Sequence, residues 1–280
     1  MILTGPELAS ALEQAEASHL TRQVETYRTL SEHAGSQVVV VAGGVAAITE
    51  PAFGRKLNHV TGLGMGMPVL AGDLQDIERR YAALGLETQI DICPHTHGST
   101  LAILAERGYA ANAFSNTYVR YLTPADTDTA SAGIEVCSDK ALVGATFVAD
   151  SVAGFSVQTV NRPRILLEAL AQIALRRSDT LLFPAALDGQ VAGTAGMSLI
   201  ETPAGLLAHL YIASTLPAYR GRGIQLALLR ARLTAARNAG CTLASVTARP
   251  ANTSARNTER AGFSLAYTKV TFIKPLSNQS

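Results

Sequence analysis

Apolar positions along the chain alternate between two repeats, one near 3.6 residues and one of 2, and the changes mark out short elements. Leu74, Ile77, Tyr81 and Leu84 recur at spacings of three and four, which predicts a helix over 73–84. Ile224, Leu228, Ala231 and Ala235 form one stripe of a longer helix over about 220–239. Shorter helices are predicted over 100–107, 165–176 and 253–261. Thr4-Gly-Pro-Glu7 fits a capping box, with Thr4 as the cap of a helix reaching about His33. Valine-rich runs at 37–41 and 45–49 flank Gly43-Gly44 and read as a hairpin. A second hairpin, 180–187 with 190–200, turns at Asp188-Gly189. Strands are also expected over 57–62, 89–93, 113–122, 206–215, 243–248 and 263–273.

The order of elements repeats. Arg107-Gly-Tyr109 and Ala261-Gly-Phe263 each close a short helix, and Thr117-Tyr-Val-Arg120 and Thr271-Phe-Ile-Lys274 each sit in the last strand. Internal repetition points to two copies of one fold. The small, polar stretch 123–133 lacks apolar periodicity and reads as a linker between a first domain, 1–122, and a second, 134–280.

Composition narrows the class. Of 280 residues, 48% are hydrophobic and 16% charged, which suits packed cores and argues against disorder. A net charge of +1 gives no field for nucleic acid or an acidic membrane, and 5% aromatics without Trp make poor base-stacking platforms. Three scattered cysteines point to a reducing compartment. Glu7, Glu13 and Glu16 interrupt any signal peptide, and the apolar run 38–48 is too short for a membrane span. The expectation is a soluble cytoplasmic protein without nucleic-acid or membrane partners.

The chemistry concentrates in Pro217-Ala-Tyr-Arg-Gly-Arg-Gly-Ile-Gln225, where a strand runs into a glycine turn and a helix runs out of it. Gly221 and Gly223 leave backbone N–H groups unshielded, the helix N-terminus adds partial positive charge, and Arg220 and Arg222 add whole charges. This combination suits a pyrophosphate. A Rossmann site needs Gly-x-Gly-x-x-Gly and a parallel βαβ unit, and a Walker loop needs Lys-Ser/Thr; neither is present.

With its context the turn resembles the GNAT family of acyl-CoA-dependent N-acetyltransferases. That family's signature, Arg/Gln-x-x-Gly-x-Gly/Ala, reads here as Arg220-Gly-Arg-Gly223-Ile-Gln225, with Gln225 in place of the final Gly or Ala. The stretch from Asn252 through Asn257 to Gly262-Phe263 is similar to the family's last helix, and the likeness covers about residues 134–275. The resemblance implies an α/β fold of two tandem GNAT-like domains, each a mixed, mostly antiparallel sheet flanked by helices. It implies acetyl-CoA as cosubstrate. Backbone groups of Gly221, Arg222, Gly223, Ile224 and Gln225, with Arg220 leading in, would hold its pyrophosphate. Ala213, Ser214 and Thr215, at the splayed strand end, would bind pantetheine and the acetyl carbonyl, with Asn252 and Asn257 beside the pantetheine arm.

Acetyl transfer to an amine needs the neutral amine, and an ordinary ammonium has a pKa of about 10, so a base helps near neutrality. Where many family members carry Glu, this chain has His209, the candidate general base, with Tyr211 on the same strand face. The family's acidic Tyr is replaced by Thr258, and Tyr267 is a distant substitute better suited to packing. The first half lacks the signature; its equivalent stretch, 59–68, has glycines but no arginine, so that half reads as a degenerate copy. Cys93-Pro-His95-Thr-His97 lacks a fourth ligand and reads as a loop, so no metal is expected. The function expected is acetyl transfer to a primary amine, of a small molecule, in a ternary complex. The alternative is a non-catalytic acyl-CoA sensor. Acidic residues that could meet an amine (Glu135, Asp139, Asp150, Glu168, Glu201) do not identify the acceptor, and the oligomeric state is not legible.

Overall fold

The computed structural model describes residues 2–31, 35–126, 133–138, 143–144, 146–156 and 162–276. They fall into two compact units. One combines Ile2–Thr117 with Ala266–Ser280, and the other is Tyr118–Leu265. This division differs from a cut into 1–122 and 134–280, because most of the last strand packs with the first unit. Residues 127–132 of the expected linker, and Asp139, lie outside the described residues.

In the first unit, α1 (Pro6–Ser31) opens with Pro at its first position, where a missing N–H costs nothing. The Thr4 hydroxyl donates to the Ala266 carbonyl, and the first helical carbonyl is that of Gly5, one residue past the expected cap. Strands β1 (Gln37–Val41) and β2 (Gly44–Ile48) pair antiparallel across Ala42 and Gly43, both at positive φ, as a two-residue hairpin turn requires. A 3-10 turn (Pro51–Lys56) leads to β3 (Val60–Thr61), then α2 (Ala71–Ala83), β4 (Thr88–Ile92) and α3 (Thr100–Glu106). The strand β5 (Ala110–Tyr121) follows, and the chain's final strand is β11 (Ser264–Lys274). The order is β1-β2-β3-β4-β11-β5, with β3 and β4 parallel and β4 and β11 antiparallel. Leu74, Ile77 and Tyr81 of α2 bury against Ile48, Val60 and Ile90 on the sheet, as their periodicity predicts.

The helix α1 contributes charge as well. Lys269 of β11 is fully buried, bonds Glu13 at 2.8 Å, and also pairs with Glu16. Burial works against its charge, but the two carboxylates outweigh burial and hold the ammonium above its ordinary value. Tyr267 donates to Glu13 at 2.7 Å, so this phenol is committed to the first unit's interior.

The second unit contains β6 (Ile134–Val136), α4 (Phe147–Ser156), α5 (Arg164–Arg176), β7 (Thr180–Leu187), β8 (Gln190–Thr202) and β9 (Gly205–Thr215). After these come α6 (Ile224–Asn238), β10 (Leu243–Ala248) and α7 (Thr253–Arg260). The strand order is β10-β9-β8-β7-β6, with the end of β5 beside β10. Leu228, Leu229 and Leu233 of α6 bury against Ala195, Met197, Ala208 and Leu210 on one face of the sheet. Each such leucine contributes about 2 kcal/mol. The opposite face carries α4 and α5, where Phe147, Ala171 and Ala174 pack with Leu182. Pattern reading misses α4: its valines and glycine are weak helix formers, and tertiary packing stabilises it instead.

Candidate functional site

The parallel ladder between β9 and β10 pairs Leu207–Leu210 with Leu243–Val246 and ends there, while β9 continues to Thr215. Five β9 residues, 211–215, therefore extend past their neighbour. On its other side β9 bulges: Thr194 pairs Ser214 and Gly196 pairs Tyr211, so Ile212 and Ala213 together oppose Ala195. Ile212 adopts φ 48°, a left-handed conformation that a β-branched residue rarely tolerates. Such outliers mark places where the surrounding fold over-determines the backbone.

Three glycines make room for this strand end. A Cβ on Gly196 would meet Ile212 Cγ2 at 2.9 Å; on Gly193, the Ser214 carbonyl oxygen at 2.6 Å; on Gly154 of α4, Ser214 Cβ at 2.7 Å. Sequence reading overlooked all three and Ile212. Glycines inside a β-rich pattern were the available signal, since they mark bulges or close backbone approach.

Beyond β9 a short 3-10 turn (Pro217–Tyr219) leads to Gly221 and Gly223, both left-handed at φ 78° and 84°. They delay α6 to Ile224, four residues later than the stripe predicts. Gly223 is the N-cap and supplies no side-chain cap, and the first turn holds no acidic residue. The leading N–H groups are thus left to water or to an anion. Arg220, Gly221, Arg222 and Gly223 are exposed. Arg222 lies over the Tyr219 ring at 5.7 Å and reaches Asp188 at 3.4 Å.

The remaining expected residues have visible partners. Asn252 caps α7 by accepting the Ala255 N–H at 2.7 Å. Asn257 donates to the Gln225 carbonyl at 2.7 Å, and Gln225 donates to Ser254 at 3.1 Å, so Gln225 ties the start of α6 to α7. Thr258 is buried with its hydroxyl unpartnered, a packing position within α7.

His209 and Tyr211 occupy the α4–α5 face. His209 is 7% exposed, and its Nδ1 lies 3.2 Å from the Ser245 hydroxyl on β10. Its ring stacks with Tyr211 at 6.4 Å. Register places Ser198 opposite His209, and Thr180 opposite Ser198, so a polar row crosses four strands. Tyr211 meets the Thr180 hydroxyl at 2.9 Å, and burial pushes its phenol upward, so it stays protonated.

The first unit carries the same device in closed form. Its β3–β4 ladder ends at Thr61 and Asp91, and Gly62 follows at φ 73°. There the gap is stitched: Thr96 donates to the Leu63 carbonyl at 2.8 Å, and the His97 N–H to the Gly64 carbonyl at 2.8 Å. The helix after it, α2, bears Asp73 in its first turn, bonding the Leu70 N–H at 2.9 Å. That carboxylate disfavours an anion where α6 invites one.

Residues 152–263 match the model of the acetyltransferase (GNAT) family. This part of the chain is a GNAT domain. Among solved structures, a GCN5-related N-acetyltransferase from Kribbella flavida is similar at TM-score 0.65 and 17% identity, over 96% of this chain and 97% of that one. A tandem GNAT protein from the clavulanic acid biosynthesis pathway reaches 0.63 at 13% identity, over 96% and 98%. A GCN5-related N-acetyltransferase from Sphaerobacter thermophilus reaches 0.55 at 15%, over 98% and 95%. These likenesses establish a tandem GNAT fold, a mixed, mostly antiparallel sheet flanked by helices. None of the curated proteins compared is significantly similar to the chain. No helix among the described residues is long and apolar enough to cross a membrane.

Proposed function

We propose that the GNAT domain transfers the acetyl group of acetyl-CoA to a primary amine of a small molecule, in the cytoplasm and by direct attack in a ternary complex. The observation that carries this reading is the broken β9–β10 ladder beside left-handed Ile212, leading into an uncapped helix start flanked by Arg220 and Arg222. Backbone N–H groups from Gly221 to Gln225 would hold the pyrophosphate. The extended end of β9, at Ala213, Ser214 and Thr215, would hold pantetheine and donate to the thioester oxygen as charge develops there. The Asn252 amide nitrogen and the Asn257 carbonyl oxygen, spared by the bonds described above, would line the same arm.

His209 accepts the proton of the bound ammonium. The amine lone pair then forms the C–N bond, the C–S bond breaks with its electrons moving to sulfur, and the second proton lost from nitrogen as the amide forms passes through water to the thiolate. Thr258, where the family's acidic Tyr would stand, is buried and does not serve as an acid. The single test is calorimetric titration of acetyl-CoA into the whole chain and into Gly223→Asp. The added carboxylate caps α6 from within and repels phosphate, so binding by the parent and loss in the variant are expected. Absence of binding by the parent, or equal binding by both, would remove the reading.

A further inference from the structure

Among the described residues of the second unit, Arg232 is a buried cation without a carboxylate partner. It stands on α6, 1% exposed, on the face where Leu228, Leu229 and Leu233 pack with Ala195 and Met197. Its Nε donates to the Leu228 carbonyl at 2.9 Å, and its Nη1 to the Gly196 carbonyl of β8 at 3.2 Å. Both acceptors are neutral. By contrast Arg177, nearly as buried, is clasped by Asp179 at 2.7 Å. Burial pushes the pKa of Arg232 down to about 9 with no neighbouring charge contributing, so the guanidinium stays positive near neutrality. A buried charge without a counterion costs stability, and an apolar side chain would extend the leucine stripe without that cost.

The contact at Gly196 places this charge. Gly196 pairs with Tyr211 at the β9 bulge, and a Cβ on Gly196 would meet Ile212 Cγ2 at 2.9 Å. The adjacent Ala195 opposes Ile212 and Ala213 together. One hydrogen bond and one strand spacing therefore set the guanidinium roughly 8 Å from the bulge. The start of α6, where the pyrophosphate would sit, is farther away. Arg232 comes eight residues after Ile224, roughly 12 Å along the helix axis. An anion formed at the end of β9 is thus the nearer partner.

We propose that Arg232 is the fixed positive charge against which coenzyme A departs as a thiolate. The proposal rests on the acetyltransferase reading above and adds how its leaving group is stabilised. As the C–S bond breaks, its electrons move to sulfur while Arg232 keeps all its protons. The new negative charge is balanced through space, across Gly196, without contact. The sulfur then takes, through water, the proton that nitrogen releases. With Thr258 buried and not acting as an acid, sulfur leaves unprotonated, and a preorganised positive charge in low-dielectric surroundings lowers the barrier to that step.

The experiment titrates the thiol of bound coenzyme A through the ultraviolet absorbance of its thiolate, with the desulfo-coenzyme A complex as blank. The bound thiol is expected to ionise at a pH lower by about 1 in the parent than in Arg232→Met or Arg232→Gln. Gln keeps an N–H for the Gly196 carbonyl, so equal values in the two variants assign the effect to charge and not to that bond. A Gln variant that matches the parent would overturn the inference. Equal values in the parent and the Met variant would do the same, and would leave the acetyltransferase reading standing. With an amine that is discharged, kcat is expected to fall about tenfold in both variants at unchanged acetyl-CoA affinity. A loss of affinity with kcat preserved would count against the inference. The Met variant should melt no lower than the parent, because it removes an unpaired buried charge. If it does not fold, the Gln variant carries the comparison with the parent alone. Failure of coenzyme A to bind the parent sinks the underlying reading first, and the inference with it.

Discussion

The conformation of Ile212 can be tested by exchanging only its side chain. Its φ of 48° costs a non-glycine residue about 1–2 kcal/mol relative to an ordinary strand conformation. In an extended strand, replacing Ala by Gly loses roughly 0.5–1 kcal/mol. At a left-handed position the sign reverses. Ile212→Gly and Ile212→Ala forfeit the same packing against the α4–α5 cluster beyond the Cβ, so their difference isolates the backbone term. Ile212→Gly should therefore be more stable than Ile212→Ala by about 1 kcal/mol. For a chain of this size that is a melting difference of about 2–4 °C, measurable by differential scanning calorimetry. The neighbouring exchange Ala213→Gly, at a residue without positive φ, should lower stability. An alanine variant as stable as the glycine variant, or more so, would refute the left-handed bulge and with it the geometry on which the acyl-CoA site rests.

Two further outcomes follow from the structure. Gly154→Ala places a Cβ 2.7 Å from Ser214 Cβ, and Ser214 is itself held by Thr194 at 3.2 Å, so either α4 or the end of β9 must move. The expected cost is about 1–3 kcal/mol, with acetyl-CoA affinity falling alongside in calorimetric titration; unchanged affinity would show that β9 tolerates the shift. In the first unit, burial pushes the His59 imidazole down to about 4, against the opposing pull of Asp91. The unfolded chain takes up that proton near its ordinary value of 6.5, so between 6.5 and about 4 the unfolded state binds more protons and stability falls as pH drops. The loss approaches roughly 3 kcal/mol below that window and is absent above it. Denaturation of the parent and of His59→Leu at about pH 7 and about pH 4.5 should show a steeper loss in the parent, and parallel losses would count against a neutral buried imidazole.

Legibility varied with the range of the interaction that decides each feature. The helix stripe on Leu74, Ile77 and Tyr81 and the turn at Asp188-Gly189 were readable, because periodicity and turn chemistry are local. The glycine-arginine turn was readable for the same reason. The helix over Phe147–Ser156 was not, because its valines, serines and glycine are weak helix formers and packing with Ala171, Ala174 and Leu182 helps to stabilise it. The start of α6 was misplaced because apolar spacing carries no information on φ, and two left-handed glycines decide where helical geometry begins.

The sequence by itself determined that two copies of one α/β pattern follow each other and that only the second keeps an exposed, arginine-flanked start to its long helix. Tertiary structure decided the rest. It ended the β9–β10 ladder at Leu210, turned Ile212 left-handed and set His209 against Ser245. It also closed the equivalent gap in the first unit with Thr96 and His97. Each of these depends on residues far apart in the chain meeting across strands and helices. No local pattern encodes such a meeting; the packing of the whole sheet fixes it.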